Sequence, residues 1–380
     1  MIAAAIDTIR IGSAALALAF TDPAACRPTG PALWALPAVV GQAGQAAWMN
    51  GHRVALIDLS EHRLKYYSTD GSPAGVFGTK GSGPGEFGVR PTLQRWPGDS
   101  VALTDPTNTR TLVFGPSGHV RTISIANVAN RARTPLSPAP GGDGLMFLHG
   151  TFIGQGKYPT FRPAYRIVKW KEGTPGDAYV VLRDTVWSTE LKMTFVPDFA
   201  PVYGPTNLAR TTGFGATATH LFTHDNALPQ LHIHDASGTL ERVVVFDVTD
   251  APVSPADRDS VSARLALLTP PSETWAEAAR REIMEWRRRF PARRAALLWH
   301  GTDREGGAWL GAYPPTTRGT PVFIRVTARG TIDRCWRGAP GTQPLALARD
   351  RAIVVEVLDE GDRVWVESTT GFPLRRLPPN

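Results

Sequence analysis

The sequence predicts an all-β fold, a six-bladed β-propeller with one helical insertion between blades four and five, and three observations carry that reading. The first is an internal repeat. RVALIDLSEHRLKYYSTDGSPAGVFG (53–78) and SVALTDPTNTRTLVFGPSGHVRTISI (100–125) match Val54 to Val101, Asp58 to Asp105, Arg63 to Arg110 and Gly71 to Gly118 at a constant offset of 47. A fixed period of that length, made only of short strands, marks a propeller blade. The second is that the rhythm recurs in weaker form: GLMFLHG with AYRIVKW and DAYVVL, ATHLFTHD with QLHIHDASGTLERVVVF, AWLGAY with PVFIRVTARGTIDRCW, and AIVVEVLD with DRVWVESTTGFPLRR, six units in all. The third is punctuation, since 37 Gly and 33 Pro spread over 380 residues suit many short strands joined by tight turns.

Each element follows in chain order. Residues 11–20 (IGSAALALAF) form an apolar run behind Arg10, too short to span a bilayer and of the length of a signal-peptide core. Ala24-Ala25-Cys26 resembles a bacterial lipobox, which makes Cys26 a lipidation candidate. Residues 1–26 therefore read as a signal peptide or lipoprotein signal lying outside a single propeller domain of residues 27–380. The expected location is outside the cytoplasm: periplasmic, membrane-anchored through lipid, or extracellular. The one other cysteine, Cys335, falls in a strand of the fifth unit, and no disulfide framework is expected.

Between the first two units lies GTKGSGPGEFG (78–88), which contains a literal G-x-G-x-x-G at Gly83, Gly85 and Gly88. A dinucleotide site needs a helix directly after those glycines to supply amides for the pyrophosphate. Here Val89, Arg90 and Pro91 follow, then TLQRW and a turn, so the nucleotide reading fails. The loop GSGPGEF with its following proline, strand ending in Asp, apolar strand and Gly turn instead resembles the NHL-repeat and related six-bladed propellers, over residues 51–125. That resemblance implies a structural segment: Phe87 wedged between blades, and Glu86 bonded to neighbouring backbone amides.

Residues 254–294 break the strand rhythm. Ser254 and Pro255 open one helical pattern with Val261, Leu265 and Leu268 on one face. Ser272 opens a second, with Trp275, Ala279, Ile283, Trp286 and Phe290 in a stripe that must pack on something. The pair reads either as packing against the propeller body or as a lid.

In an antiparallel four-stranded blade the A–B and C–D turns emerge on one face, and the B–C turns and D-to-A crossings on the other. The first class is short here (Asn50-Gly51-His52, Pro97-Gly98-Asp99, Asp70-Gly71, Ser117-Gly118, Ser237-Gly238), whereas the second class holds the long pieces 78–90, 149–162, 183–201 and the helices. Loops longer than connectivity requires are where function is usually housed. The expected binding set is accordingly Glu86, Arg90, His149, Tyr158, His224, Asp225 and Trp286, on the long-loop face. His220 and His224, then His232 and His234, share strand faces by the period of two, a spacing that suits Zn²⁺. No third element completes such a shell, and they read as ordinary strand and turn histidines.

No nucleophile motif is present, and neither cysteine has a marked His partner. The net charge of +7 comes from 35 Arg and 6 Lys without a dense basic run outside the helical segment, which argues against a phosphate-binding stripe. The chain therefore reads as an exported binding or scaffold module for a protein, peptide or carbohydrate, without catalytic residues or cofactor. The alternative is a metal-dependent hydrolase or lactonase. Propeller lactonases of the gluconolactonase type hold a calcium in the central funnel with acidic and amide side chains, and no such set is identifiable here. Nucleic-acid binding, known among NHL-like propellers, is the weakest of the three and conflicts with export. Membrane contact is expected only through a lipid anchor.

Overall fold

The computed structural model describes residues 6–124 except 23, 29, 38, 90 and 106, four strands between 137 and 182, residues 212–255 except 226, 227 and 250, and then 259, 293–294, 296–312 and 320–372. The chain is an all-β propeller. Five blades are each built from four consecutive antiparallel strands, labelled A to D from the axis outward. Blade 1 comprises Ala43–Trp48, Val54–Asp58, Arg63–Tyr67 and Pro73–Phe77. Blade 2 comprises Thr92–Trp96, Ser100–Asp105, Arg110–Gly115 and Gly118–Ser124. Blade 3 holds Ser137–Pro138, Gly144–Leu148, Tyr165–Lys171 and Thr174–Leu182. Blade 4 holds Thr212–Ala216, Leu221–Asp225, Gln230–His234 and Leu240–Phe246. Blade 5 holds Leu297–Thr302, Gly307–Ala312, Val322–Thr327 and Ile332–Arg337.

A further sheet is composite. Thr342–Leu347, Arg351–Leu358 and Gly361–Ser368 run outward from the axis, and the outermost strand is Trp34–Ala35 from the other end of the chain. The six units read from the sequence thus resolve into five blades of consecutive strands and one sheet assembled from both ends. The expected helical insertion is not shown. Almost all of 254–294 lies outside the described residues, and what is described is a two-stranded ribbon that brings Ala251–Pro252 against Arg293–Arg294 at its base.

The repeated residues have repeated work. Asp58 and Asp105 each end strand B, fully buried, and pair in register with Arg63 and Arg110 at the start of strand C. The Asp58 carboxylate accepts the Ser60 and Glu61 amides at 3.0 and 3.2 Å and Lys65 Nζ at 2.8 Å. The Asp105 carboxylate accepts Thr107 N–H at 3.1 Å, Asn108 Nδ2 at 2.6 Å and Gly88 N–H at 3.0 Å. Arg63 donates to the Gly78 carbonyl, and Arg110 to those of Ser82 and Glu86. A buried carboxylate thus closes the B–C turn, and the arginine opposite ties down the crossing to the next blade. Phe87 is fully buried in the apolar layer between blades 1 and 2, and Glu86 accepts the Gly83 amide at 2.7 Å, as the loop's resemblance implied.

The beginning of the chain departs from expectation. Residues 1–26 were to lie outside the propeller, yet Asp7–Ile11 pairs in parallel with strand D of blade 4, and Ser13–Thr21 is a helix whose Leu16 and Ala19 are buried with blades 4 and 5. The reason is the run's own apolarity: left outside it would expose Ile11 and Leu16, while the open edge of blade 4 offers unpaired backbone groups. Arg337 donates to the Ala25 and Ala19 carbonyls at 2.9 and 2.7 Å, and Cys26 is bonded to Cys335 across 309 residues. This pair corrects the reading of two unrelated cysteines. It also uses the sulfur that a lipid thioether on Cys26 would require. No helix among the described residues is long and apolar enough to cross a membrane.

A disulfide closing so long a loop restricts the unfolded chain strongly. Reduction, or a Cys26→Ser variant, should cost about 2–5 kcal/mol of stability and make residues 7–26 the first site of proteolysis. Limited digestion with and without reductant, read by mass spectrometry, checks both; unchanged cleavage sites would show that packing alone holds the segment.

Candidate functional site

Strands A of the blades surround the axis, and their last residues, toward the A–B turns, enclose a cavity of about 330 Å³. Its apolar wall is Trp48, Phe214, Trp299 and Trp309, and its polar groups are His52, Arg95, Thr302, Asp303, Arg304 and Glu305. The tryptophan wall exists because strand A of blade 4 reads Thr-Gly-Phe-Gly-Ala. A Cβ on Gly213 would come within 2.1 Å of the Trp299 side chain and one on Gly215 within 2.8 Å of Thr302 Oγ1. Two glycines on one face therefore clear a bed on which the blade 5 indole lies.

The A–B turn of blade 5 supplies the charges. Asp303 and Arg325 are buried, at 6% and 2% exposure, in a bidentate pair whose second contact is 2.9 Å. Arg325 also donates to both Asp333 oxygens, at 3.0 and 2.8 Å. Burial opposes its charge, but the two carboxylates prevail and hold the guanidinium above its ordinary value. Asp303 further accepts Gly307 N–H and Trp309 Nε1–H, each at 2.9 Å. Gly307 is required here, since a Cβ would meet the Arg325 guanidinium at 2.5 Å. The turn is thereby anchored from beneath, with Arg304 and Glu305 exposed at the cavity mouth. Arg95, half-buried on strand A of blade 2, enters from the far side and makes no ion pair among the described residues. Burial and then Arg304 lower its affinity for its proton, while Glu305 and Asp303 oppose them.

The expected site residues fall elsewhere. Glu86 is committed to its own loop. His224 is fully buried, its Nδ1 donating to the Gln230 carbonyl at 2.8 Å, with Nε2 3.5 Å from the Leu297 carbonyl of blade 5. Asp225 ends strand B beside it, opposite Thr212 and Gln230. His224 and Asp225 sit at the B–C end of their strand and Glu86 in the crossing between blades 1 and 2, and none of the three lines the cavity at the A–B ends. Arg90, His149, Tyr158 and Trp286 lie outside the described residues. Of the four histidines considered for metal, His234 bonds Thr223 Oγ1 and the Gly238 carbonyl, while His232 is 3.4 Å from Gln230 Oε1. Among the described residues no three His, Cys, Asp or Glu side chains are grouped to hold a metal. The cavity lies at the other end of the strands from the long loops, and its own sequence signal is the charged turn Asp303-Arg304-Glu305-Gly306 together with the Gly-Phe-Gly strand.

The class these features define is a β-propeller with an aromatic and charged axial cavity. No family model matches the chain, and no curated protein does. Among solved structures it is similar to regucalcin, a calcium-binding protein of Agrobacterium tumefaciens (9% identity, 96% of this chain and 97% of that one, TM-score 0.41). It is also similar to a gluconolactonase of Xanthomonas campestris (11%, 92% and 96%, TM-score 0.41) and to virginiamycin B lyase of Staphylococcus aureus (10%, 88% and 83%, TM-score 0.37). At such identities and scores the fold assignment rests on this chain's own strand order.

Two imidazoles, His234 buried and His300 half-buried, are expected to make the fold sensitive to acid. Burial pushes His300, on the cavity strand of blade 5, and His234, in blade 4, down to about 4. Each is neutral when folded and would bind a proton when unfolded between pH 6.5 and about 4, so stability falls as pH drops through that window. For His234, 5% exposed, the loss approaches about 3 kcal/mol at the acid end. A His234→Gln variant should flatten the melting temperature between pH 6.5 and 4 relative to the wild type; equal slopes would assign the acid sensitivity to other groups.

Proposed function

We propose that this chain is a ligand-binding propeller that takes a small molecule in its axial cavity. The observation that supports this reading is the cavity's make-up: a tryptophan-rich wall, a pinned charged turn at the mouth, and a volume of about 330 Å³, near the lower end of small-molecule sites. The binding reading of the sequence is kept, and its site moves from the long-loop face to the A–B face. The NHL-like construction is kept as well, on the strength of the 78–90 loop, with the composite sheet read as the sixth blade that completes the ring.

A metal-dependent lactonase is the second reading. It needs a carboxylate-rich ion site, whereas Asp303 is already bound by Arg325 and Glu305 is the other described carboxylate of the cavity. Elemental analysis of the purified protein separates the two, because a stoichiometric calcium would favour the lactonase. Export is retained as part of the proposal, now supported by the Cys26–Cys335 bond, since structural disulfides persist in oxidising compartments. In this form the exported chain keeps residues 7–26.

The direct test is to fill the cavity. Ala216→Trp should leave the melting temperature within a few degrees and abolish every small-molecule hit found by thermal-shift and tryptophan-fluorescence screening of the wild type. Hits that bind the filled variant as well as the wild type would place the binding surface elsewhere.

A further inference from the structure

We propose that the axial cavity takes a small aromatic monoanion, whose carboxylate is held by Arg95 and whose ring lies against the tryptophan wall; this rests on the reading that the cavity is the binding site. The charge balance is the starting point. Asp303 lines the cavity but its carboxylate is consumed by Arg325, Gly307 N–H and Trp309 Nε1–H. What remains is Arg95 and Arg304 against Glu305, an excess of one positive charge around a small cavity. Arg304 and Glu305 are exposed and hydrated, whereas Arg95 is half-buried with no ion pair among the described residues. A guanidinium withdrawn from water without a carboxylate is costly unless something supplies one.

The position of Arg95 sharpens the reading. It stands on blade 2, while the charges that act on it, Arg304 first and then Glu305 and Asp303, stand on blade 5. The cavity is therefore spanned by groups from two separate blades, and a ligand between them would touch both. Arginine presents paired N–H donors in one plane, the geometry that matches a carboxylate. The remaining wall, Trp48, Phe214, Trp299 and Trp309, suits a flat apolar body and offers no charge of its own. With a net excess of one charge, a singly charged carboxylate matches better than a doubly charged phosphate.

Three probes that quench tryptophan fluorescence test this: 4-nitrobenzoate, 4-nitrophenyl phosphate and the neutral 4-nitrobenzamide. The expected result is saturable quenching of the wild type by 4-nitrobenzoate, at least tenfold tighter than by 4-nitrobenzamide and tighter than by the phosphate. Arg95→Met should remove that preference and, without ligand, raise the melting temperature, because an uncompensated charge has been taken away. Glu305→Gln, a change at the exposed mouth, should tighten 4-nitrobenzoate binding severalfold and so tests the idea even if the Arg95 variant folds poorly. The inference is overturned if 4-nitrobenzoate does not bind the wild type, if the amide binds equally well, or if the phosphate binds best. Binding of the amide that is lost in Ala216→Trp would sink the anion assignment while leaving the cavity as the site; quenching unaffected by Ala216→Trp would sink the cavity reading itself.

Discussion

Ring closure is the constraint on which the rest of this structure depends. An axial cavity exists only while strands A stay in a ring, and a ring of sheets stays shut only if its last sheet is tied to its first. Here Trp34 and Ala35 pair with Val366 and Trp365, Asp362 exchanges backbone bonds with Val40 at 2.6 and 2.8 Å, and its carboxylate accepts the Ala43 amide at 2.7 Å. Burial raises the Asp362 carboxyl's affinity for its proton, and the nearby Asp58 adds to it. The preceding segment fastens the same end of the chain elsewhere on the ring, by a strand paired to blade 4, a helix buried against blades 4 and 5, and a disulfide to blade 5. The cavity is thus held at its circumference, far from the groups that line it.

Much of the fold was legible because each blade repeats one solution. The 47-residue offset located Asp58, Asp105, Arg63 and Arg110 correctly, since a buried carboxylate and its opposing arginine are required wherever a B–C turn meets a crossing loop. The hairpin turns were equally readable, because Gly71, Gly118 and Gly238 adopt positive φ, which only glycine takes without strain. The composite sheet could not be read: Trp34–Ala35 is two residues long and has no periodicity of its own, and its partner lies more than three hundred positions away.

The packing of residues 7–26 was not legible for a related reason. An apolar stretch of ten residues has the same composition whether it is to be removed or packed against an open sheet edge, and local pattern does not separate the two. Only tertiary partners do: Cys335 for Cys26, Arg337 for the Ala19 and Ala25 carbonyls, Val244 for Ile9. The cavity was hidden from the sequence in the same way. Arg95, Trp299 and Arg304 stand on three different strands or turns and converge only in the ring, so no spacing in the sequence links them. His224, conspicuous in the sequence beside an aspartate, is fully buried and its Nδ1–H is used by the Gln230 carbonyl of its own blade.

The bed of glycines beneath Trp299 has an evolutionary side. Gly213 and Gly215 have no packing freedom while a large indole lies over them, and the indole has no room if either gains a side chain. Gly213 and Gly215 must therefore drift as one unit with Trp299, more than eighty residues further along the chain. A lineage could exchange the tryptophan for a small residue and only then release the glycines, or keep all three. Related chains should accordingly fall into two groups, with a wide, flat-walled funnel in one and a narrower, side-chain-filled funnel in the other, and with few intermediates between them.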